Sequence, residues 1–271
     1  MDLELSGRVF VVTGGGNGMG REVVLGLLER GARVAAVDLN KAGLAETVRL
    51  AGAADRLSTH LVNVSDRADV LALPGKVITA HGTVDGLFNV AGIIQPFVKI
   101  AELDFDVIEL VIDVNFWGVV NMTKAFLPHL LGKSTPAGIL NVSSMGGFLP
   151  VPGQAAYGAS KAAVKLFTEA LYAETKGTNL SVTVLFPGGV GTNITGNSGV
   201  DTSRMEAAMA GAKPRKTVTP KDAGRQIIEG FERGSFRVMV GSDAKFMDRF
   251  ARLSPKRATE LIANQMKALL G

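Results

Sequence analysis

The sequence predicts an α/β fold: a single doubly wound domain, with a parallel sheet of about seven strands and helices on both faces. Three observations lead there. Short apolar runs of strand length alternate with helix-period segments almost from end to end. No linker rich in Pro, Gly or Ser divides the 271 residues, and no repeat is present. Glycine is raised, at 33 residues, and gathers in short clusters where a backbone must turn or approach a ligand.

The elements follow in order. Arg8 to Thr13 reads as a buried strand, and Gly18 to Arg30 as a helix ended by Gly31. Next come a strand from Arg33 to Asp38, a helix from Lys41 to Leu50, a strand from Ser58 to Val62 and a helix from Asp66 to Ala80. The strand Val84 to Asn89 ends at a glycine turn, and Asp104 to Leu131 predicts one long helical region with Pro128 as the place for a bend. Gly138 to Ser143 is a strand, Tyr157 to Thr175 a helix, and Leu180 to Phe186 a strand stopped by Pro187. Residues 188–214 turn to Gly, Asn, Thr, Ser and Met, predicting a mobile substrate loop with one short helix. Thr219-Pro220 supplies an N-cap and a first-turn proline for a helix to Arg233. The strand Phe236 to Val240 then precedes a helical tail from Ala244 to Leu270.

Composition excludes several classes. Apolar residues at 46% and charged residues at 20% are globular values. Lys plus Arg at 29 against Asp plus Glu at 25 leaves a mild, dispersed excess, with no basic run for nucleic acid or an anionic membrane. Cysteine is absent, which removes disulfides, thiolate nucleophiles and Cys-based metal sites. The acidic start has no apolar signal region and no run reaches membrane length, so a soluble, cytoplasmic protein is expected. Glu102, Asp104, Asp106, Glu109 and Asp113 suit the solvated face of a helix, and His60, His81 and His129 share no ligand spacing, so no metal is expected. The tail is basic and amphipathic through Phe246, Phe250, Leu253, Leu261 and Ile262, which suits packing on the domain or on a neighbouring subunit.

Ligands of doubly wound sheets bind beyond the carboxyl ends of the strands. After the first strand stands Thr13-Gly-Gly-Gly-Asn-Gly-Met-Gly20, with glycines at 14, 18 and 20 and neither a strict G-x-G-x-x-G nor a Walker pattern. Side chains there would keep a pyrophosphate from the N–H groups of the helix terminus, and Gly20 lets the helix approach the first strand. A merely flexible loop would show the same letters. Asp38 adds weight: it ends the second strand 18 residues beyond Gly20, where a carboxylate can bind both ribose hydroxyls of an adenosine. It would also repel a 2′-phosphate, and its neighbours Leu39 and Asn17 offer no cation, so NAD is favoured over NADP. Asp38 also reads as a helix cap before Lys41.

Tyr157 and Lys161 stand four apart at a predicted helix start and share a face. A tyrosine of pKa about 10 needs a drop of roughly 3 units to act as a base near neutrality, and a lysine ammonium one turn away has the right sign. Ser144 follows a strand and can hold a substrate oxygen in the same cleft.

Together these residues resemble the single-domain branch of the short-chain dehydrogenase/reductase family, from Ser6 to Val240, with a Rossmann-like fold. Thr13 to Gly20 is similar to its T-G-x-x-x-G-x-G loop, and Asn89-Val-Ala-Gly92 resembles its N-N-A-G element with Val90 in place of the second Asn. Asn63-Val64 stands where Asp-Val is usual, Tyr157 to Lys161 matches Y-x-x-x-K, and Pro187-Gly188 with Thr192 resembles P-G-x-x-x-T. The resemblance implies Asn115, Ser144, Tyr157 and Lys161 as catalytic residues, Asn115 anchoring a relay water. The implied cofactor contacts are Gly14, Asn17, Gly18, Met19, Gly20, Asp38, Asn63, Val64, Asn89, Ala91, Gly92, Tyr157, Lys161, Pro187, Gly188, Val190 and Thr192. Substrate is expected against Ser144, Tyr157, Ile94, Phe97, Phe148, Val151, Gln154, Gly189, Ile194, Met205 and Met209, a mostly apolar set. The implied reaction is NAD-linked interconversion of a hydrophobic secondary alcohol and its ketone by a dimer or tetramer. NADP-linked carbonyl reduction, an enoyl reductase of the same fold and a catalytically silent NAD-binding scaffold are the alternatives.

Overall fold

The computed structural model describes residues 3–53, 55–192, 194–200 and 217–270. Its strands are β1 (Val9–Thr13), β2 (Arg33–Asp38), β3 (Leu57–Leu61), β4 (Gly86–Asn89), β5 (Ala137–Val142), β6 (Leu180–Pro187) and β7 (Arg237–Val240). They form one seven-stranded sheet in the order 3-2-1-4-5-6-7, every pair parallel. The helices are α1 (Gly18–Glu29), α2 (Lys41–Ala51), α3 (Arg67–His81), α4 (Phe105–Ile112), α5 (Gly118–Leu131), α6 (Ala155–Glu174), α7 (Ile194–Asn197), α8 (Pro220–Glu232), α9 (Ser242–Leu253) and α10 (Pro255–Leu270). None is long and apolar enough to cross a membrane among the described residues.

Alternation along the strands divides the apolar residues between two layers. Phe10, Val12 and Phe88 pack with Leu27 of α1 and Phe231 of α8 on one face. Val11, Val37 and Leu87 pack with Val77 of α3 and with Met122 and Phe126 of α5 on the other. Phe231 fits because the strands below it are bare: a Cβ on Gly138 would stand 2.5 Å from its ring. The chain runs outward from β1 to β3 and returns to β4 on the other side of β1. This reversal opens a crevice at the carboxyl ends of β1 and β4.

The long helix expected over 104–131 is interrupted, and Pro128 is not the cause. A π turn at Asp113–Trp117 separates α4 from α5, while Pro128 sits inside α5. The extra residue of the π turn carries Asn115 into a fully buried position, where it bonds Ile93 and Ser160. The tail also divides, at Ser254, because Pro255 starts a new helix more easily than it continues an old one. In the segment expected to be a substrate loop, α7 is the one helix among the described residues, and Met205 and Met209 lie outside them.

Candidate active site

The glycine-rich turn is built from its backbone outward. Gly14 and Gly18 have φ of +70° and +51°, where a side chain would be strained. Gly20 is fixed by contact instead: a Cβ there would stand 2.1 Å from the Gly14 carbonyl oxygen. Asn17 caps α1, its side chain accepting from Gly18 N–H at 2.7 Å. Thr13 Oγ1 accepts from Val90 and Ala91 N–H at 3.0 and 3.1 Å, tying the turn to the segment after β4.

Asp38 faces this turn. Its two oxygens accept from Gly16 N–H at 2.9 Å and Asn40 N–H at 2.8 Å. The cap of α2 is Asn40, which accepts from Gly43 N–H at 2.9 Å, so Asp38 is not spent as a helix cap. A cleft of about 340 Å³ opens here, lined by Gly14, Asn17, Gly18, Met19, Gly20, Asp38, Asn63, Val64, Ala91, Gly92, Thr192 and Ile194. Most of the expected cofactor contacts thus share one wall. Asn89 stands behind it: its amide donates to Asn141 at 2.8 Å, and Asn141 donates to Thr168 at 3.0 Å, so it ties β4 and β5 to α6. Pro187 ends β6, and Gly188 and Val190 follow it in the turn; like Tyr157 and Lys161, these three do not line the cleft.

Beyond the residues that line this cleft, Ser144 and Tyr157 lie side by side, Ser144 Oγ and the Tyr157 ring both within 3.6 Å of where a Cβ on Gly146 would stand. The Ser144 hydroxyl accepts from Gly146 N–H at 3.0 Å. Burial pushes the Tyr157 pKa up, and the Ser144 bond opposes this in smaller part. Lys161 is 3% exposed, donates to the Val142 carbonyl at 3.1 Å, and is lowered by burial to about 8. In the protein alone, burial rather than Lys161 sets the direction of the Tyr157 shift, opposite to the lowering expected from the sequence. Asn115 accepts from Ile93 N–H at 2.8 Å and donates to Ile93 O and Ser160 Oγ at 2.9 and 3.1 Å. Its side-chain amide is thus committed to the cleft wall.

The expected substrate residues divide. Phe148, Val151 and Gln154 line a second cavity, of about 650 Å³, whose helix wall is Ala155, Gly158, Ala159 and Ala162 and which Thr259 of α10 borders. That wall lies roughly half a turn around α6 from Tyr157 and Lys161. Neither Ser144 nor Tyr157 lines this cavity. Gln154 is buried, with its amide donated to Gln95 O at 3.0 Å. Ile194 lines the first cleft instead, and Ile94 is joined to it through Ser198 Oγ. The acidic residues Glu102, Asp104, Asp106, Glu109 and Asp113 are exposed as expected.

Residues 8–202 match the model of the short chain dehydrogenase family. This chain belongs to that family. It is 40% identical over 262 residues to a Mycobacterium tuberculosis oxidoreductase, SadH, covering 95% of this chain and 94% of that protein. A short-chain dehydrogenase/reductase from Burkholderia phymatum in complex with NAD superposes with a TM-score of 0.85 at 27% identity, covering 94% of this chain and 96% of the other. One from Burkholderia cenocepacia in complex with NADP gives a TM-score of 0.80 at 24% identity, covering 96% and 99%. Relatives of this dehydrogenase therefore bind NAD or NADP, and the protein is an oxidoreductase acting on CH–OH type groups.

Several residues that hold the dehydrogenase cleft escaped the sequence reading. Arg21 donates to Thr47 Oγ1 at 3.0 Å and to the Gly16 carbonyl, while Thr47 donates to Gly15 O at 2.8 Å. These bonds take up the carbonyls of the glycine turn. Gln95 accepts from Tyr157 N–H at 2.9 Å, capping a helix whose own N-cap side chain makes no cap bond. Sequence distance hides Gln95, 62 residues from its partner. Arg21 carried a visible signal, a cation one residue beyond the last glycine.

Proposed function

We propose that this protein, acting as one domain, transfers a hydride between NAD and a hydrophobic secondary alcohol or its ketone. The observation that carries the reading is the placement of Ser144 beside Tyr157, around the same Gly146 position and one turn from buried Lys161, in a sheet whose β1–β4 crevice is faced by Asp38. The glycine cradle fits a dinucleotide, since a Cβ at Gly14 would press the Ala91 backbone at 3.1 Å and narrow the cleft. NAD, when bound, supplies the carbon that accepts or returns the hydride. Asp38 would accept from the adenosine ribose hydroxyls, and Lys161 would donate to the nicotinamide ribose.

Ser144 and Tyr157 hydrogen-bond the substrate oxygen. In oxidation the Tyr157 oxygen takes the hydroxyl proton, and in reduction the phenol returns it. The raised pKa of Tyr157 keeps that phenol protonated near neutrality, ready for the acid role. The base role requires the Lys161 ammonium to overcome that burial as well as the roughly 3 pKa units between a free phenol and neutrality. Asn115 positions Ile93 and Ser160 rather than touching substrate. Apolar Ile93, Val114 and Ile194 line the cleft and favour an apolar substrate. Exposed Phe105, Leu110, Trp117 and Leu166 favour a homo-oligomer.

A second reading, NADP-linked ketone reduction, is favoured by the NADP complex of the Burkholderia cenocepacia relative. Initial rates with each cofactor separate the two. The proposal itself is tested by Tyr157→Phe: NAD-linked turnover should fall at least about a thousandfold while NAD affinity stays within a few-fold. Turnover retained in that variant contradicts the assignment.

A further inference from the structure

The short-chain dehydrogenase match ends at residue 202, yet the turn after β6 is held from beyond it. Asp243, in the first turn of α9, accepts from Gly189 N–H at 2.7 Å. Two glycines make room for its carboxylate. A Cβ on Gly188 would stand 2.3 Å from Oδ1, and one on Gly241 2.4 Å from the same atom. Gly241 also has a φ of +96°, which turns the chain from β7 into α9 and brings Asp243 back over β6.

The contact lies at one end of a connected path to the cleft. Gly188 N–H donates to Val240 O at 2.9 Å, next to the Asp243 contact. Val218 N–H donates to Gly189 O at 2.9 Å, and Gly191 N–H donates to Val218 O at 3.0 Å, so the turn is braced on both sides. Three residues beyond Gly189, Thr192 lines the cleft, its methyl 3.5 Å from where a Cβ on Gly18 would lie. The far wall thus depends on where Gly189 is held. The N–H that Asp243 takes up would otherwise turn to solvent, leaving the turn without its one anionic anchor among the described contacts.

We propose that Asp243 is a positioning residue, through which the C-terminal helices fix the Gly188–Thr192 turn against the glycine-rich loop and so set cofactor affinity. The proposal rests on the NAD-binding reading above. Asp243 lines neither the cleft nor the larger cavity; it acts through Gly189.

Hydrogen exchange of the ligand-free protein and NAD titration are to be run on wild type, Asp243→Ala, Asp243→Asn and Gly188→Ala. Asp243→Ala should speed amide exchange across 188–192 and weaken NAD binding about tenfold, the usual effect of losing one charge-assisted hydrogen bond. Asp243→Asn keeps an acceptor and should restore affinity to within about threefold. Gly188→Ala displaces the carboxylate and should mimic Asp243→Ala, with no further loss when the two are combined. Unchanged exchange in Asp243→Ala overturns the clamp. Faster exchange with unchanged NAD affinity overturns the link to the cofactor. Wild type binding neither NAD nor NADP sinks the functional reading, and the proposal with it, a result distinct from either of the others.

Discussion

The two ends of the site are built in opposite ways. At the β1–β2 end, backbone does the work: N–H groups, positive-φ glycines and one carboxylate, all within residues 13–43. At the β5–β6 end, side chains do it, and each is held by a distant segment. Tyr157 leans on Gln95, Lys161 on Val142, and the turn after β6 on Asp243. Binding a dinucleotide needs a shape that glycine can make locally. Moving a proton needs buried ionisable groups, and burial is a property of the whole fold.

That contrast explains what was legible in the sequence. The strand order follows from alternating elements and right-handed crossovers, and the glycine turn with Asp38 is a local pattern. Tyr157, Lys161 and Ser144 were visible as letters, but their electrostatics were not. Spacing put an ammonium beside a phenol, whereas burial raises Tyr157 and lowers Lys161. The break between α4 and α5 was invisible because apolar period continues through Asp113–Trp117; the π turn is selected by the bonds of Asn115 to Ile93 and Ser160. Phe148 and Gln154 line the cavity on the other flank of α6, a separation from Tyr157 that only the folded chain shows.

Breaking the backbone end should have the largest effect. Gly20→Ala forces a Cβ into the Gly14 carbonyl, and NAD affinity by calorimetry should fall roughly 100-fold. Removing the carboxylate is milder: Asp38→Ser should weaken NAD about tenfold and shift the NAD-to-NADP preference toward NADP by more than that, read from kcat/KM with each cofactor. An unchanged preference would detach Asp38 from the ribose.

The side-chain end responds to pH. Carbonyl reduction needs Tyr157 and Lys161 both protonated, so kcat/KM for a ketone should be full at lower pH and fall as pH rises through about 8. A flat profile across that range removes Lys161 from the proton path. The smallest effect concerns stability. A lysine with a lowered folded pKa binds fewer protons when folded, so its burial costs stability below about 8 and that cost is relieved as pH rises further. Lys161→Met should therefore melt a few degrees above wild type at neutral pH while losing turnover, by calorimetry. A lower melting temperature would mean that the Val142 bond outweighs the desolvation cost.

The most direct test of the account is nicotinamide absorbance during incubation of the wild-type protein with NAD and a panel of apolar secondary alcohols. The account predicts reduction of NAD by at least one bulky apolar alcohol, with NADP slower. No reduction with any alcohol and either cofactor, by a protein that binds NAD, would contradict the assignment of Ser144, Tyr157 and Lys161 as a working proton-transfer set.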